Sequence, residues 1–95
     1  MIERHITFNV HPDKTGAFER LFSDEYGPTM AKSRGFVKVE LLREAENPTR
    51  YQMMTRFEDA EGAAGWAASE AHQALQPAMK ALYSRSELQV FIVVS

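Results

Sequence analysis

The hydrophobic period of this chain switches between two and 3.6 in a fixed order, and that order leaves few folds open. From Ile2 to Val10 the residues alternate: Ile2, Arg4, Ile6, Phe8 and Val10 share one face, and Glu3, His5, Thr7 and Asn9 the other. Period two with β-branched and aromatic residues predicts a strand. His11-Pro12-Asp13 ends it, since proline cannot continue a ladder, and Asp13 is a candidate helix N-cap. Phe18, Leu21 and Phe22 then recur at helical spacing. Gly27-Pro28 predicts a kink or a fresh helical start, and Gly35 a helix stop.

Phe36 to Arg43 and Tyr51 to Phe57 read as a second and third strand, joined by a turn at Asn47-Pro48. Asp59 caps an alanine-rich helix through Trp66 that is expected to bend or restart before Pro77 and end near Leu82. Leu88 to Val94 reads as a fourth strand, apolar on both faces. The order β-α-β-β-α-β predicts an α+β, ferredoxin-like fold: a four-stranded antiparallel sheet with two helices on one face. At 95 residues the chain has room for one domain, taken as residues 1–95. With helices on one side, apolar residues on both faces of the later strands predict a homodimer packed sheet against sheet.

Composition removes whole classes of function. The chain has no cysteine, which excludes disulfides, thiolate metal sites and cysteine nucleophiles. A net charge of −2 removes the electrostatic case for nucleic acid or an anionic membrane surface. No apolar run is long enough to span a bilayer and the N-terminus lacks signal-peptide character, so the expectation is a cytoplasmic protein. His5, His11 and His72 have no metal-binding spacing, so no metal site is expected. There is no phosphate-binding glycine loop and no nucleophile elbow.

The informative segment is Trp66-Ala67-Ala68-Ser69-Glu70-Ala71-His72. On one regular helix Trp66 and His72 lie about 240° apart and do not share a face. A break near Ser69 brings both to a cavity between helix and sheet; without it, Trp66 is a core anchor and His72 a half-exposed helix residue. Other polar candidates have equally plain alternatives. Asn9 suits a strand end, Tyr26 packing against the sheet, Tyr51 a strand interior, and Arg56 a cross-strand ion pair.

In combination these segments resemble the antibiotic biosynthesis monooxygenase family of dimeric α+β barrels. The resemblance rests on Phe8-Asn9-Val10-His11-Pro12-Asp13 and on Phe18-Glu19-Arg20-Leu21 followed by Arg34-Gly35-Phe36 and Val39-Glu40-Leu41-Leu42. It rests further on Tyr51-Gln52-Met53 leading to Arg56-Phe57-Glu58-Asp59-Ala60-Glu61, and on Trp66 with Ser69 and His72. It covers about residues 2–94. It implies a homodimer and oxygenation of a small aromatic or quinol-type molecule by molecular oxygen, without metal, flavin or haem. It casts Asn9 and Trp66 as donors to a substrate or peroxide oxygen and His72 as the base, with Tyr26, Tyr51 and Arg56 as substrate-binding residues. Haem-degrading relatives use an asparagine, a tryptophan and a helix histidine that ligates iron. The six-residue step from Trp66 to His72 is short for that pattern, so haem ranks below cofactor-free oxygenation. A non-catalytic barrel that binds a small ligand, and a lyase or isomerase on the same fold, are the other readings.

Overall fold

A computed structural model describes residues 1–95. Strand β1 (Ile2–Val10) is followed by a 3-10 turn (Pro12–Lys14), α1 (Thr15–Leu21), a π turn (Phe22–Tyr26) and α2 (Gly27–Met30). Then come β2 (Phe36–Arg43), β3 (Arg50–Phe57), α3 (Ala60–Ala68), α4 (Glu70–Lys80) and β4 (Tyr83–Ile92). The sheet order is β2-β3-β1-β4 and every neighbouring pair is antiparallel. This is the ferredoxin-like α+β arrangement predicted from the sequence.

The inward residues follow strand alternation. Phe8 and Val10 of β1 and Tyr51, Met53 and Phe57 of β3 bury against Phe18, Tyr26, Met30, Trp66 and Met79 of the helical layer. The alternate residues of β1 and β3 face away from the helices. Gly35 ends the first helical half at φ +80°, a conformation that glycine adopts without a Cβ clash. Gly62 lets α3 approach the chain before β2, because a Cβ there would sit 3.0 Å from the Arg34 carbonyl oxygen.

Three expectations need correction. Asp13 lies inside the 3-10 turn, and neither that turn nor α1 has a side-chain cap. The second helical half does restart before Pro77, as expected: the break falls at Ser69, and Pro77 lies inside α4. Strand β4 runs from Tyr83 to Ile92 because its backbone pairs with β1 from Val10 to Ile2, including the polar stretch from Ser84 to Glu87. The open sheet face is largely polar: Glu3, His5, Thr7, Gln52, Arg56, Lys38, Glu40, Arg85 and Glu87 sit at its outward positions. Exposed apolar area runs instead along the edge strand β4, at Leu88, Val90, Phe91 and Ile92.

Candidate active site

Ser69 builds the site. Its backbone is extended, at φ −67° and ψ 151°, and so ends α3. Its hydroxyl donates to the Trp66 carbonyl oxygen at 2.7 Å and accepts from the His72 backbone N–H at 3.1 Å. One side chain therefore closes α3 and caps α4. The reorientation brings together two residues that a continuous helix keeps apart: the Trp66 and His72 rings are 5.1 Å apart at 74°.

Tyr26 completes the cluster from the other helical half. Pro28 lies at the start of α2, and the Gly27 N–H reaches back to the Phe22 carbonyl oxygen in a wide π turn. That turn buries Tyr26, whose ring centroid lies 5.6 Å from Trp66 and 6.1 Å from His72, edge-on to both. Beside this cluster is a cavity of about 200 Å³ between the helices and the β1–β4 side of the sheet. Tyr26, His72, Gln76, Arg4 and Ser86 supply its polar lining, on an otherwise apolar wall.

Burial sets the proton chemistry here. It pushes the Tyr26 phenol up to about 12, so the hydroxyl stays protonated and can donate. Burial also holds His72 below the usual imidazole value against an opposing Ala67 backbone hydrogen bond, and the charges of Arg4 and Lys80 lower it further. A neutral imidazole is thus favoured near pH 7. Gln76 Nε2 lies 3.0 Å from His72 Nε2; with the amide donating, Nε2 is the ring's acceptor.

The sequence-predicted residues divide into three places. Tyr26, Trp66 and His72 come together. Trp66 is 4% exposed and backs the cluster as a core residue, while Tyr26 and His72 line the cavity. Asn9 and Arg56 do not join them. Asn9 alternates with buried Phe8 and Val10, and Arg56 with buried Thr55 and Phe57, so both lie on the opposite face of the sheet. There Arg56 Nε donates to Glu3 Oε2 at 2.6 Å, and His5 Nε2 lies 2.8 Å from Glu3 Oε1. Tyr51 does face the helices, but it packs on Phe18, and its hydroxyl donates to Glu19 Oε2 at 2.5 Å. Burial and that carboxylate raise the Tyr51 phenol. Arg4, Gln76 and Ser86 were not singled out in the sequence. For Arg4 the signal was present: it is the one charge in the inward stripe Ile2, Arg4, Ile6, Phe8, Val10.

A four-stranded antiparallel sheet, helices on one face and a half-buried imidazole beside a buried phenol between them define an α+β domain of ferredoxin-like type with a helix–sheet cavity. The chain belongs to the antibiotic biosynthesis monooxygenase family, whose model matches residues 1–78. Solved structures superpose over nearly the whole chain. SnoaB, a cofactor-independent oxygenase from Streptomyces nogalater, shares 24% identity at a TM-score of 0.89, covering 99% of this chain and 93% of its own. A conserved protein from Methanosarcina mazei shares 20% at 0.85, covering 95% and 89%. At these identities the likeness speaks to fold. No curated protein matches the sequence.

Proposed function

We propose that the protein is a cofactor-independent monooxygenase acting on a small aromatic or quinol-type substrate in the cavity beside Tyr26 and His72. The observation that carries this reading is a half-buried imidazole and a buried phenol, ring centroids 6.1 Å apart, on one largely apolar cavity wall, where burial lowers the imidazole pKa and raises that of the phenol. Family membership and the description of SnoaB as a cofactor-independent oxygenase support it. On substrate binding the Gln76 amide gives up His72 Nε2, and that nitrogen removes a proton from an acidic C–H or O–H of the substrate. The resulting enolate or phenolate gives its electrons to oxygen, and a carbon–oxygen bond forms as a hydroperoxide. Loss of water leaves the carbonyl, so one oxygen atom enters the product and the other leaves as water. Tyr26 O–H stabilises the developing oxyanion, and Trp66 holds both rings in place.

Haem fits this cavity poorly. Its volume of about 200 Å³ is below the range of about 300–1,000 Å³ usual for drug-sized ligands. The exposed apolar side chains of β4 support a homodimer with this strand at the contact, to be tested by light scattering.

The test of function is oxygen uptake with a panel of quinols and anthrones. Uptake should fall about 10²–10⁴-fold in His72→Ala, with folding preserved by circular dichroism. No uptake with any of the panel, or uptake unchanged in His72→Ala, sinks the reading.

A further inference from the structure

Five of the seven arginines have a carboxylate oxygen within 4.0 Å: Arg34, Arg43, Arg50, Arg56 and Arg85. Arg20, without one, is exposed. Arg4 is the exception: it is half-buried, lines the cavity and has no ionic partner. Its cross-strand neighbours are Thr55 and Val90, and Ile2 and Ile6 flank it on the same face of β1. The other titratable groups of the cavity wall are Tyr26, His72 and Tyr83, and no carboxylate lines it. A guanidinium half out of water and unpaired is costly unless something anionic meets it. Arginine also presents a planar fork of donors that matches a carboxylate or a phenolate oxygen.

We propose that Arg4 is the specificity-determining residue of this cavity, and that it selects an aromatic ligand already carrying a negative charge over its neutral isostere. The inference rests on the reading of the cavity as the substrate site. The anionic group sits against Arg4 at the sheet, and the ring extends toward Tyr26 and His72. Arg4 thereby fixes which edge of the substrate meets the base. It also favours the enolate or phenolate over its conjugate acid, the form that reacts with oxygen.

The experiment is calorimetric titration with 2-naphthoate and with 2-naphthamide, which share a skeleton and differ in charge. The native protein should bind naphthoate about tenfold or more tightly than naphthamide, as expected for hydrogen bonds to a charged group. Arg4→Met should bring the two affinities together, Arg4→Lys should keep part of the preference, and Arg85→Met should leave it intact. Arg85 lies on the outward face, paired with Glu87, so it controls for overall charge. If Arg4→Met fails to fold, Arg4→Gln reads the same ratio. Equal binding of the two probes by the native protein, binding of neither, or a preference that survives loss of Arg4 overturns the proposal. Oxygen uptake is scored separately. An Arg4-dependent preference without uptake removes the oxygenase reading and keeps the anion site; uptake without the preference does the reverse.

Discussion

Arg4 and Arg56 lie on adjacent, hydrogen-bonded strands, yet they face opposite sides of the sheet and meet opposite treatment. Arg56 is paired across the strands with Glu3, which also holds His5, and His5 in turn packs on Phe91 at 4.6 Å. Arg4, one residue along from Glu3, looks into a cavity that offers it no carboxylate. The outward face settles its charges internally, in ion pairs such as Arg56–Glu3 and Arg85–Glu87. The inward face keeps one charge unpaired beside an imidazole and a phenol, next to an apolar wall. What separates the two is strand alternation alone: the residue beside a satisfied ion pair becomes a site because its side chain points the other way.

The sharpest way to break that comparison is to truncate neighbours of opposite facing. Phe8 is 3% exposed and packs edge-on to Phe18 and Tyr83, at 5.2 and 4.9 Å. Phe8→Ala should cost about 3–5 kcal/mol, and Thr7→Ala, on the open face, within about 0.5 kcal/mol. Chemical denaturation measures both, and similar losses would show that the open face is as tightly packed as the core. Next in size is Ser69→Ala. It removes the cap of α4 and the bond to the Trp66 carbonyl, for about 1 kcal/mol. Because Ser69 sets the angle between Trp66 and His72, the substitution should also lower kcat in the oxygen-uptake assay more than it raises KM. A loss of stability with unchanged kcat separates the break from the chemistry.

How much of this was legible in the sequence follows the same division. Strands with one dry and one wet face announce themselves: β1 and β2 run over the residues predicted, and β3 begins one residue earlier, at Arg50. Asp59 was readable as a cap, and its carboxylate accepts from the Gly62 N–H at 2.8 Å. Strand β4 was placed at Leu88 to Val94 and runs from Tyr83 to Ile92, because an edge strand exposed on both faces has no alternation to display; its extent is set by backbone pairing with β1. A restart before Pro77 was readable, but not its exact place: the break falls at Ser69, where a hydroxyl satisfies both helix ends, and α4 carries Pro77 within it. For the site, the conditional reading of a break near Ser69 did bring Trp66 and His72 together. The family resemblance drew in Asn9 and Arg56, although their place in the alternation put them outside. The same alternation put Arg4 inside. A charge in an apolar stripe was the informative signal, and it was informative because burial makes an unpaired charge expensive.

Charge deletions test the comparison more gently. Arg56→Met should cost less than about 1 kcal/mol, since the pair with Glu3 is partly solvated, and it leaves Glu3 with His5 alone. The smallest effect is a division of the pH dependence between the two faces. Hydrogen bonds from His5 and then from Arg56 hold the Glu3 carboxyl below its ordinary 4.5, and burial holds His72 below 6.5. Both groups bind a proton more weakly folded than unfolded. In each window the unfolded chain therefore takes up more protons, and stability rises with pH. On acidification the His72 contribution begins to go below about pH 6.5 and the Glu3 contribution only below about pH 4.5, each loss ending below its folded value. Melting temperature against pH should thus fall in two stages, the upper one absent in His72→Gln and the lower one absent in Glu3→Gln. If one variant removed both stages, the two faces would titrate as a single unit. The separation of an outward face with paired charges from an inward one with an unpaired charge would then be wrong.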